Sequence, residues 1–175
     1  MNIRYLAMGV VILFAACASS SDRAKLTDPE VAMVVRVSNL GEVREGQLAR
    51  DKATDAAVRD FAQMMVTEHT AESNKAESDL ARADIPSADS SLSRQIDANS
   101  GNATDMLRAT PAGPAFDRAY MDRQVDGHRY ILGVIDQTLV PNAHSKVLRG
   151  VLADMRKLID QHLTRAQQIQ STLAK

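Results

Sequence analysis

Apolar residues recur every three or four positions along four long stretches of this chain, and no stretch shows the alternate-residue pattern of a half-buried strand. The first stretch opens at Thr27-Asp28-Pro29-Glu30, where Asp28 can cap a helix, Pro29 fits its first position and Glu30 suits its positive end. Its inner face is Val31, Val34, Val35, Ser38, Glu42, Glu45 and Ala49, and it ends near Lys52. A second helix is expected from Asp55 to Ala83, with Val58, Phe61, Ala62, Met65, Val66, His69, Ser73, Ala76 and Leu80 inward, before Asp84-Ile85-Pro86 stops it. A third runs from Pro114 to Leu139 through Phe116, Tyr120, Met121, Val125, His128, Leu132 and Ile135, and Val140-Pro141-Asn142 ends it. The fourth starts at Ala143 or Ser145 and carries Val147, Leu148, Val151, Leu152, Met155, Leu158/Ile159, His162, Ala166 and Ile169.

Residues 87–113 are polar and irregular, with one or two short helices expected around Leu92/Ile96 and Met106/Leu107. A connection of this length between bundle helices reads as a crossover. With no tryptophan, three phenylalanines and three tyrosines, the core must be aliphatic. The fold class is therefore all-α: a ferritin-like antiparallel four-helix bundle over 28–175, with a long crossover between helices two and three.

The N-terminus reads as an export signal over 1–16: Arg4, then an apolar run from Leu6 to Ala16 that is too short to span a bilayer, which takes about 20 residues. Leu13-Phe14-Ala15-Ala16-Cys17 resembles a bacterial lipoprotein signal, in which the cysteine becomes the lipidated first residue. Cys17 is the only cysteine, so no disulfide can form within the chain, and lipidation would account for it; the alternatives are an ordinary secretory signal cleaved near Ala16 or a short membrane anchor. Residues 17–27 then form a tether. Ala18 in place of an aspartate directs such lipoproteins to the outer membrane, which sets the expected location in the periplasm with a membrane anchor as partner. Removing Arg4 leaves 20 basic residues (21 less one) against 22 acidic. Without a basic stripe, nucleic acid is not an expected partner; a protein partner on the mixed-charge helical faces is.

Three of the four histidines follow an aliphatic residue by three positions: Val66-x-x-His69, Val125-x-x-His128 and Ile159-x-x-His162. Positions i and i+3 share a helix face, so each imidazole is aimed inward with a core residue. A di-iron bundle keeps a glutamate where these aliphatics stand. The pattern thus disfavours ferroxidase, oxidase or iron-storage chemistry while permitting a single ion. Imidazoles with a carboxylate suit zinc or another divalent transition metal. If the first turn centres on residue 54, Glu42 lies level with residue 66, about 5 Å from His69 along the axis. His69 and His128 each fall 14 residues into their helices. The candidate metal set is therefore Glu42, His69 and His128. If the last turn centres on 141, His162 is displaced by about 12 Å from that level, nearer Asp117. The competing reading is three structural histidines bonded to Glu68, Asp117 or Tyr120. His144 is expected to be exposed. The methionines are too scattered for a copper site, and no catalytic constellation or phosphate loop appears.

Asn39-Leu40-Gly41-Glu42-Val43 with Gln47-Leu48-Ala49, then Phe61-Ala62-Gln63-Met64-Met65-Val66-Thr67-Glu68-His69-Thr70, Phe116-Asp117-Arg118-Ala119-Tyr120 with His128, and His162-Leu163 with Ala166 together resemble the DUF4142 family of exported bacterial proteins. Glu68 stands where that family usually has aspartate. The resemblance implies a ferritin-like four-helix fold and export, and brings no activity with it. The expected role is a non-enzymatic, lipid-anchored periplasmic bundle concerned with envelope stress or maintenance; the alternative is a mononuclear metal-binding protein.

Overall fold

The structure, a computed structural model, describes residues 25–173. The expected signal at 1–16, the lipidation site Cys17 and most of the tether lie outside the described residues. Those residues are all-helical, without strands. The elements are α1 (Asp28–Lys52), α2 (Ala56–Arg82), α3 (Ser91–Ala109), α4 (Pro114–Val134), a π-helical turn (Ile135–Leu139) that continues through the short α5 (Val140–Asn142), and α6 (Lys146–Leu173). No helix among the described residues is long and apolar enough to cross a membrane.

Helices α1 and α2 pack as one hairpin, α4 and α6 as another, and α2 closes against α6. The two hairpins cap each other. Asp28, expected to cap its own helix, instead accepts the backbone N–H groups of His144 and Ser145 at 2.7 and 2.8 Å, at the start of α6. Thr27 takes the cap of α1, its N–H and hydroxyl both donating to Glu30. Asp117 of α4 does the same for the other hairpin: its carboxylate accepts the N–H groups of Thr54 and Asp55, each at 2.9 Å, and the Thr54 hydroxyl at 2.6 Å. These anions hold the amides that have no intrahelical partner.

The segment expected to be irregular is one 19-residue helix, α3. Ser90 caps it by accepting the Ser93 N–H, and Ile96, Ser100, Thr104 and Leu107 face inward along it. Its buried stripe mixes serine and threonine with isoleucine and leucine, so its period does not show in the apolar residues alone. It packs along α1 at Gly41, where a Cβ would come within 2.5 Å of Ser100 Oγ.

Apolar side chains gather in two separate cores. One joins the start of α1 to the end of α2, the end of α4 and the start of α6, around Val31, Val34, Leu80, Ile135 and Leu152. The other surrounds the α1–α2 turn, with Ala49, Phe61, Met65, Phe116, Tyr120 and Ala166. Val147, expected inward, is exposed. Between the cores lies a polar layer of Ser38, Asn39, Glu45, His69, Gln124, His128 and His162, all buried.

Candidate metal centre

The three histidines that follow aliphatic residues meet in this layer. Their ring nitrogens offer donor atoms that all lie within 4.8 Å of one another, so the three could hold a metal ion. His69 and His162 are in closest contact, Nε2 to Nδ1 at 3.2 Å, and the His128 ring centre is 6.1 and 5.7 Å from theirs.

The expected 12 Å displacement of His162 is absent, and the reason is the turn. Pro141 has no N–H to give its i−4 carbonyl, and its ring crowds that oxygen. The helix widens just before it, with the Val140 N–H reaching back to Ile135 O, and continues to Asn142. The connection therefore centres on residue 144, midway between Asn142 and Lys146. Residue 128 then faces residue 160, and His162 sits about 3 Å from that level. Nor does Asp117 bond His162, being committed to the α2 cap.

Each imidazole is fixed by its outer nitrogen. Asn39 Nδ2 donates to Val35 O at 3.1 Å, which orients the amide and leaves its Oδ1 to accept from His69 Nδ1 at 2.8 Å. His128 Nδ1 donates to the backbone carbonyl of Gln124 at 2.8 Å. His162 Nε2 donates to Glu68 Oε2 at 2.7 Å. With those protons assigned from the bonding network, His69 Nε2, His128 Nε2 and His162 Nδ1 carry lone pairs, and these are the atoms that converge. His128 Nε2 is buried with no hydrogen-bond partner at all. Outer-nitrogen bonds to an amide oxygen, a carbonyl and a carboxylate are the usual supports of metal-binding histidines.

Burial disfavours imidazolium at all three. His69 is held well below the ordinary histidine range, by desolvation first and then by the other two rings. His128 is lowered to about 4, mainly by desolvation. His162 is lowered by desolvation, with Glu68 pulling the other way. All three therefore stay neutral, the form that binds metal, at neutral pH.

Glu42 stands beside the cluster. Its carboxylate accepts from Gln124 Nε2 at 3.1 Å and lines a cavity together with His69 and His128. Desolvation pushes its pKa up, opposed by Arg123, Gln124 and His162. Glu45, one turn on, is fully buried and bound by Arg123 Nη2 at 2.8 Å, Arg123 Nε at 3.0 Å and Ser100 Oγ at 3.1 Å. Desolvation and the charge of Glu42 push it to about 7 against those bonds. Gly127 makes room for this pair: a Cβ there would meet Arg123 Nη1 at 2.7 Å. Tyr120, expected as a partner for a histidine, has a buried hydroxyl without one. His144 is exposed, as expected.

Asn39, Arg123 and Ser100 are not among the expected site residues, although Glu45, which Arg123 and Ser100 bind, lies on the expected inner face of α1. The turn centred on 54 places residue 39 opposite His69, so the signal for Asn39 was present in the spacing.

No curated protein and no solved structure matches the chain. The family described as "Domain of unknown function (DUF4142)" matches residues 15–169, a span that takes in all three histidines and their supports. The chain belongs to the DUF4142 family.

Proposed function

We propose that this protein binds one divalent transition-metal ion through His69, His128 and His162. The observation that carries the reading is the convergence of three lone-pair nitrogens whose opposite nitrogens are all engaged as donors. Two lone pairs facing at 3.2 Å repel unless a cation lies between them. Around a tetrahedral zinc with bonds of about 2.0 Å, ligand atoms stand roughly 3.3 Å apart, so small ring rotations would close the set. Three imidazoles suit zinc, with cobalt, nickel, copper and ferrous iron as competitors. Glu42 supplies negative charge beside the ion without being one of its three ligands.

Its setting is a ferritin-like bundle, with α3 forming the crossover, held by a lipid on Cys17 at the periplasmic face of the outer membrane. The apolar run before Cys17 and its being the only cysteine support this.

The metal reading is tested on untagged full-length protein by elemental analysis after incubation with zinc, manganese, iron or copper and removal of free ion. One ion per chain is expected, and none in the His69→Ala/His128→Ala variant. Wild-type protein that holds no ion after all four incubations rules the reading out. Incorporation of radiolabelled palmitate in the wild type and its loss in Cys17→Ser is the expected result for the anchor; labelling that persists in Cys17→Ser, or never occurs, removes it.

A further inference from the structure

A cavity of about 410 Å³ lies between α1, α3 and α4, within the usual span of small-molecule pockets, roughly 300–1,000 Å³. Glu42, His69 and His128 line its buried part. Ile96 and Ile131 give it apolar walls, and Met106 and Tyr130 continue that surface outward, exposed by 72% and 45%. Those are large apolar areas to leave in water beside a polar site. A purely structural metal site is closed by four protein ligands; a site with three and an open side keeps a position for an outside molecule.

Charge decides what that molecule is. The three imidazoles are neutral ligands. Glu45 is matched by Arg123. Glu68, which accepts from His162, has a side chain 43% exposed and is solvated by water. Among the buried groups a divalent ion with Glu42 leaves one positive charge, and unbalanced charge in a desolvated layer is costly.

We propose that the cavity receives a small monoanion with an apolar body, whose head group takes the open position on the metal while the body lies against Ile96, Ile131, Met106 and Tyr130. The proposal rests on the metal reading above.

The test uses full-length protein loaded with cobalt(II), whose visible spectrum reports its ligands. Two probes share one head group that binds metals as a monoanion: benzohydroxamate has an aromatic body and acetohydroxamate a methyl group. Benzohydroxamate is expected to change the cobalt spectrum with the metal still protein-bound, and to bind at least tenfold more tightly than acetohydroxamate. Ala103→Trp, which fills the cavity from α3, is expected to keep cobalt and lose that preference. Met106→Glu, at an exposed position that the fold does not need, is expected to weaken benzohydroxamate at least threefold. A cobalt-loaded protein that ignores benzohydroxamate, binds both probes alike or is indifferent to Met106→Glu overturns this proposal and leaves the metal reading standing. Failure to load cobalt at all defeats the metal reading and this proposal with it.

Discussion

The two apolar cores and the polar layer between them follow opposite rules. The cores bury aliphatic and aromatic side chains that have nothing to lose by leaving water. The layer buries three histidines, a glutamate, an asparagine and a glutamine, each of which must find a partner or be left costly. Most find one, but Ser38 Oγ, Gln124 Oε1 and His128 Nε2 do not, nor does Tyr120 Oη at the edge of the second core, and the last three belong to one stripe of α4 at i, i+4 and i+8. Folding energy therefore concentrates in the two cores. The ends hold the helices together, and the middle spends part of that stability on a site. The largest effects on folding should accordingly come from the ends. Phe116→Ala should cost about 3–5 kcal/mol and Leu152→Ala about 2–5 kcal/mol in urea unfolding, one residue from each core and both fully buried. Losses below about 1 kcal/mol at both would mean that the ends are not the main source of stability.

Acid should act on the middle alone. In chelated protein His128 titrates at about 4, whereas an unfolded histidine titrates near 6.5. Between those values the unfolded chain binds a proton that the native one refuses, so stability is intact above pH 6.5 and falls as pH drops towards 4. The difference of about 2.5 pH units corresponds to about 3 kcal/mol. His69 and His162, also lowered, add to the loss. Glu45 and Glu42 work the other way: Glu45, raised to about 7, takes a native-state proton that favours folding as pH falls from 7 to 4.5, and Glu42, also raised by desolvation, acts in the same sense. Urea midpoints measured with chelator at pH 8, 6.5, 5 and 4 should decline on the acid side. Leu152→Ala should lower the whole curve without changing its shape. A His128 ring that titrates near 6.5 by NMR in the chelated protein would show that the buried imidazole does not resist protonation.

The ends were more legible than the middle, for a physical reason. A core position announces itself by residue type and period, so α1, α2 and the stripe of α6 could be read from apolar spacing alone. Asp55 caps α2 as its position before Ala56 suggests, donated to by the Ala57 and Val58 amides. What period could not carry was register between helices. It depends on where a turn centres, and the wider turn before Pro141 moved that centre by three residues, enough to set His162 apart from a cluster it joins. Partners such as Asn39 and the Gln124 carbonyl were missed because neither an amide nor a backbone oxygen signals metal chemistry by itself; they acquire meaning only once a ring nitrogen is seen to donate to them. The continuity of α3 was not legible, only short helices at its two ends, because the buried face between them is serine and threonine.

The smallest effect on folding is the one that most sharpens the contrast. His128→Leu replaces a buried ring by an apolar side chain of similar size in the polar layer. The lost bond from Nδ1 went to the Gln124 carbonyl, which as a helix oxygen also has the His128 amide as its i+4 donor. What is removed in exchange is an unpartnered buried nitrogen, a liability of about 1–3 kcal/mol. Chelated His128→Leu protein should therefore unfold at the same urea concentration as chelated wild type, or at a higher one by about 1 kcal/mol. Metal should separate the two proteins. At a free ion concentration one hundred times the dissociation constant the wild type should gain about 2.7 kcal/mol, and the variant should gain nothing. If His128→Leu without metal instead loses more than about 2 kcal/mol, it behaves as an end residue does. The imidazole would then be holding the fold together, and the division between stabilising ends and a functional middle would fail at the residue on which it most depends.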